Sequence, residues 1–156
     1  MTDCVDRQWV EELLQRNRYL VLSTTNGTEP WIAPLEYILD ADLNFYFFSP
    51  ENARHSRHLE RNSNVAVAVF DSQQPDYSPG TSVTIQGVQI EATASKLDEA
   101  DYPEVIVSGI AALKPPMPPY AVFTIHTRRF YVPKIENGVN IRVEVNMDRA
   151  NSDATV

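Results

Sequence analysis

Four consecutive aromatic residues, Phe45-Tyr46-Phe47-Phe48, leave a strand no solvent-facing side, so a strand here must be buried on both faces. The run stops at Ser49-Pro50, where Ser49 reads as a helix N-cap and Pro50 as the first helical residue, with a helix extending to about Arg61. Arg54 and His55 fall one turn along. A core strand feeding directly into the positive end of a helix forms a natural anion site, above all for phosphate. Charge patterning agrees: the chain carries net −8, yet residues 52–62 hold three Arg and one Glu, leaving −10 for the rest. Glu51, in the first helical turn, could occupy the same site, and an ordinary capped connection with surface arginines is the alternative.

Around this stretch the pattern is that of a small barrel. At 156 residues with 43% apolar composition, the chain is long enough for one cored domain, expected over 1–145 with a disordered 146–156 tail. Asp6–Asn17 is an amphipathic helix placing Trp9, Val10, Leu13 and Leu14 on one stripe. Tyr19–Thr25 is a strand, Asn26-Gly27 a hairpin turn, and Trp31–Leu39 a strand whose Pro34 demands an edge position. Val65–Phe70 reads as a strand apolar on both faces. In Thr81–Ser95 the apolar parity switches between Ile85 and Val88, which places a bulge or bend at Gly87, and Arg128-Arg129 marks a second. A helix begins near Asp101, the Lys114–Pro119 run is a stiff connector, and Ile141–Val145 is a final strand or an arm toward a partner chain. The expected fold is mainly β: an antiparallel Greek-key barrel of six strands with peripheral helices.

Composition excludes several functions. The acidic balance offers no basic face for nucleic acid or an anionic membrane, and no apolar run approaches the length of a spanning helix. A single Cys4 permits neither an internal disulfide nor a thiolate cluster, so a soluble, cytoplasmic, reducing setting is expected. No nucleophile elbow or Gly-rich phosphate loop is present. His55 and His58, three apart, have a metal-capable spacing but no third ligand, so surface histidines are the preferred reading. An exposed or satisfied residue is preferred for His126. For Glu36 a ligand edge, a cation and solvent stand as equal alternatives.

The order of segments resembles the pyridoxamine 5′-phosphate oxidase-like, FMN-binding split-barrel family. The likeness runs from Asp6 to Pro133 through Tyr-Leu-Val-Leu-Ser-Thr-Thr, Asn-Gly-Thr-Glu-Pro, Ile-Ala-Pro-Leu, Phe-Tyr-Phe-Phe-Ser, Asn-Ala-Arg-His-Ser-Arg-His-Leu-Glu-Arg-Asn and Val-Ala-Val-Ala-Val, and is most specific over 44–70. It implies a homodimer with FMN at the subunit interface. By this resemblance Ser49, Arg54 and His55 hold the flavin phosphate, and the backbone of Ala33, Pro34, Leu35 and Glu36 lies along the ring edge. Ser82 and Gln86 approach the flavin from a neighbouring element or subunit. His55 stands where the family commonly has lysine, Trp31 or Ala33 near a usual arginine, and the chain ends without the Arg-Leu-x-Pro segment of the true oxidases. The resemblance therefore implies an FMN-dependent oxidoreductase with no catalytic side chain assigned. A non-catalytic flavin- or haem-binding, stress-related protein and a reductase using F420 are the alternatives.

Overall fold

The structure is a computed structural model and describes residues 3–71, 86–112 and 120–148, with the side chains of 3–6 and 110–112 set aside. Helix α1 (Asp3–Arg16) leads into strands β1 (Tyr19–Thr25), β2 (Pro30–Glu36), β3 (Ile38–Leu39) and β4 (Phe45–Pro50). Helix α2 (Arg54–Leu59) precedes β5 (Asn64–Phe70) and β6 (Gly87–Lys96). After a short 3-10 turn at Glu99–Asp101 come α3 (Glu104–Ala112), β7 (Tyr120–Glu136) and β8 (Val139–Val145).

All pairings are antiparallel, in the order β2-β1-β5-β6-β7-β4-β3. The two ends of that path are one bent strand, since only Tyr37 separates β2 from β3. The strand pairs with β1 before Tyr37 and with β4 after it, which closes six strands into a barrel. Neighbours run in Greek-key order, with the fourth strand (β5) returning beside the first. Tyr37 holds the seam: it is buried, packs edge-on against Phe45 at 4.9 Å, and its hydroxyl donates to the Leu14 carbonyl of α1. Burial pushes the Tyr37 phenol up to about 12.

The aromatic run divides its four rings between two cores. Phe45 and Phe47 enter the barrel, where Phe47 stacks on Phe123 at 5.1 Å, while Tyr46 and Phe48 pack beneath α3 with Ile106 and Val122. Val10, Leu13 and Leu14 of α1 belong to the barrel core. The Asn26 side chain braces the first hairpin by accepting from the Thr28 and Glu29 amides, and Gly27 takes φ 103°.

Several expectations change. The register break falls between Glu91 and Ala92, opposite Arg128, so the expected Arg128-Arg129 bulge is present and it flips β7 to bury Phe130 and Val132. Gly87 instead pairs regularly with Phe70, and its missing side chain is what matters, because a Cβ there would sit 2.9 Å from Phe70 Cβ. Val83 and Ile85 lie outside the described residues. β5 buries only Val65, Val67 and Val69, leaving Ala66 and Phe70 outward. Ile141–Val145 forms part of a hairpin on β7 across Asn137-Gly138, both at positive φ. Met147 packs on the barrel core, and the Asp148 carbonyl accepts from Arg7 at 2.7 Å. No helix among the described residues is long and apolar enough to cross a membrane.

Candidate functional site

The β4–α2 junction is built differently from the capped helix expected there. β4 stays paired with β7 through Ser49↔Ala121 and Pro50↔Tyr120, so Ser49 is a strand residue and not an N-cap. A turn closed by the Ala53 amide on the Pro50 carbonyl follows, and α2 begins only at Arg54. Its cap residue, Ala53, makes no side-chain cap bond. The shift by four residues turns the Ser49 hydroxyl inward, where it meets His55 Nε2 at 2.6 Å. Ser49 and His55 are 2% and 8% exposed, so this polar pair is inside the barrel mouth and not on its surface.

α2 therefore presents a hydrogen-bonded polar face inward. Beside the Ser49–His55 pair, Ser56 donates to the Pro50 carbonyl at 2.8 Å and His58 Nδ1 meets Thr24 Oγ1 at 3.2 Å. The reading of His55 and His58 as surface histidines is thus overturned: each is buried against a hydroxyl from a neighbouring strand. Burial lowers the His55 pKa from its ordinary value, and nearby His58 adds to the effect. At neutral pH the imidazole is uncharged, with one donor and one acceptor nitrogen.

Arg54 lies on the rim. Its guanidinium sits 4.5 Å over the Trp31 ring and donates to Glu29 Oε2 at 3.2 Å. The cation–π contact holds the side chain over the mouth with a strength of about 0.5–1 kcal/mol. The pair with Glu29 is exposed and contributes about 0–1 kcal/mol, so an incoming phosphate can displace that carboxylate at little cost. Glu51 is engaged elsewhere, with Lys96 at 2.6 Å. The Ser49–His55 pair and the Arg54 guanidinium, adjacent in sequence to it, supply a hydroxyl, an imidazole and a cation, residue types whose chemistry fits a flavin phosphate.

The other predicted residues are placed less closely. Ala33 is buried, while Pro34 and Glu36 are exposed on edge strand β2. Alternate residues of an edge strand turn their N–H and C=O groups away from the sheet, which Pro34 can do only with its carbonyl. Leu35 is half-buried against the core, and Glu36 pairs with Arg18 at 2.6 Å on the surface. Gln86 accepts from Arg16 at 3.3 Å beside the Phe70 end of β5, at the opposite end of the barrel from Arg54 and Trp31. One chain does not bring it to the rim. Ser82 lies outside the described residues. His126 is exposed, and no group of three or more metal-capable side chains occurs among the described residues.

Sequence reasoning missed Trp31 and Glu29 as the partners of Arg54. The signal was available in the hairpin, because Asn26-Gly27 folds Glu29 and Trp31 back over the strand that faces α2.

A six-stranded Greek-key barrel with a donor cluster at its mouth defines the class, and sequence comparison gives the family. The profile described as pyridoxamine 5′-phosphate oxidase matches residues 7–132, and the chain belongs to that family. Comparison with curated proteins gives no match. Solved structures share the fold. HutZ, the haem storage protein of Vibrio cholerae, superposes with TM-score 0.63 at 16% identity, covering 79% of this chain and 91% of its own. A pyridoxamine 5′-phosphate oxidase-like protein of Listeria innocua gives 0.63 at 19% identity, covering 81% and 96%. An FAD-binding protein of Mesorhizobium loti gives 0.56 at 18%, covering 77% and 88%.

Proposed function

We propose that this protein is a small FMN-dependent oxidoreductase. The observation that supports the reading is the buried Ser49–His55 pair, with Arg54 beside it in sequence held on Trp31 and Glu29, at the positions that the family resemblance gives to the flavin phosphate. When bound, the flavin supplies the electron chemistry. This chain supplies anchoring and shielding. Arg54 would exchange Glu29 for a phosphate oxygen, and the Ser49–His55 pair, which uses one of its two protons in its own hydrogen bond, would have one N–H or O–H left to donate. Outward-turned backbone groups of β2, from Ala33 to Glu36, line the ring edge. Hydride transfer to a flavin asks for no side-chain acid or base.

A homodimer completes the proposal. The outer face of β2, β1 and β5 carries Ile32, Tyr19 and Phe70, 63%, 58% and 48% exposed, around small Ala66 and Ala68. Such an apolar sheet face suits a second copy. Gln86, remote from Arg54 in its own chain, would then serve the partner's flavin. The lone Cys4 and the acidic composition favour the cytoplasm.

The test is flavin affinity. Arg54→Ala should weaken FMN binding by about 1.5–3 kcal/mol, roughly 10- to 150-fold, read by fluorescence quenching. Unchanged affinity would remove the phosphate assignment. Among the similar structures, haem- and flavin-binding proteins favour a second reading, a binder without turnover. Failure of NADH and NADPH to reduce the bound flavin would select it.

A further inference from the structure

We infer that the polar cleft between α2 and the β1–β2 hairpin is a binding site for a nucleoside diphosphate group. The cleft, about 440 Å³, is lined by Asn26, Glu29, Arg54, Arg57, Glu60 and Arg61, with His58. Its size lies within the range of small-ligand pockets. Three guanidiniums face two carboxylates in a chain whose net charge is −8. Arg54, Arg57 and Arg61 recur at three- and four-residue intervals, so they line one side of α2 and of the turn that follows it. Three like charges so placed repel one another. Only Arg54 is matched by an ion pair, with Glu29, while Arg57 and Arg61 make none with any described residue. An anion with more than one charge would relieve that repulsion.

Geometry narrows the anion. Planar guanidiniums bind phosphate oxygens in pairs, and two of them about a turn apart match the spread of two linked phosphates. Arg54 lines this cleft and directly precedes His55, the partner of Ser49. Trp31, 40% exposed, lies against Arg54 and offers ring area for a base. The Asn26 carbonyl oxygen is committed to the Thr28 and Glu29 amides, which leaves its NH2 as a donor toward the cleft. The inference goes beyond the flavin reading and shares only Arg54 with it. The same diphosphate chemistry occurs in FAD and in nicotinamide dinucleotides, and the test separates the two.

ADP is the probe, titrated calorimetrically into the full chain at 50 and 150 mM salt. The wild type should bind ADP, more weakly at the higher salt. The double substitution Arg57→Gln, Arg61→Gln, both at exposed positions, should weaken ADP at least tenfold while FMN affinity stays within twofold. FAD binding tighter than FMN, lost in the double variant, assigns the diphosphate to the flavin. NADPH binding to FMN-loaded protein, lost likewise, assigns it to the reductant. No ADP binding at millimolar concentration, equal ADP affinity in the double variant, or a parallel loss of ADP and FMN overturns the inference. ADP binding with no FMN binding would overturn the flavin reading and leave this one standing.

Discussion

His55 is where burial and function pull in opposite directions. Its lowered pKa means that, as pH falls through about 6.5, the unfolded chain takes up a proton before the folded one does. Stability contributed by the neutral imidazole is therefore complete above that value and is lost as pH falls through the folded pKa. The melting temperature should drop more between pH 7.5 and 5.5 in the wild type than in His55→Gln, which keeps a polar group near Ser49. Equal drops would place the acid sensitivity elsewhere. A bound phosphate would stabilise the imidazolium and flatten the dependence. That Ser49 and His55 come together was legible in the sequence, because a strand, a short turn and a basic pair have a fixed spacing. Their surroundings were not. Arg-His-Ser-Arg-His reads as a solvated face, and only the hydroxyls of Thr24 and Ser49, brought from other strands, let two histidines go inside.

Among the elements, the bent strand β2–β3 decides whether the sheet closes. Its pivot, Tyr37, ties the seam to α1 through the Leu14 carbonyl, so Tyr37→Phe should cost about 1–2 kcal/mol in urea unfolding by removing one buried hydrogen bond. A loss under 0.3 kcal/mol would show that packing against Phe45 suffices. At the other end of the sheet, Gly87→Ala would force its new methyl onto Phe70 and should destabilise by about 1–3 kcal/mol. The element order was readable from alternation and from Asn26-Gly27, and the parity change at Arg128-Arg129 located the bulge. Asn137-Gly138 carried the same hairpin signal, and with it β8 follows from the sequence. β5 was misread because alanine is ambiguous: Ala66 and Ala68 pass for core in a hydrophobic count but lie outward beside Val21 and Ser23.

For the whole molecule, that outward face carries the proposed dimer. A shallow groove of about 240 Å³ runs across it between Val21, Ser23, Ala68 and Gln89. Ile32→Glu on a monomer surface would change stability by only about 0.5 kcal/mol. In a dimer it should shift sedimentation to the monomer and weaken flavin binding with it. A variant that stays dimeric would move the interface elsewhere. The proposed association rests on the family resemblance, because one chain's pattern does not separate a solvated outer face from one that a second copy covers.

The central claim is that the barrel mouth recognises a flavin by its phosphate. The most direct measurement is a parallel titration of the protein with FMN and with riboflavin, which differ by that phosphate alone. FMN should bind at least tenfold tighter, with the advantage shrinking as salt is raised. Equal affinities for the two flavins would contradict the account.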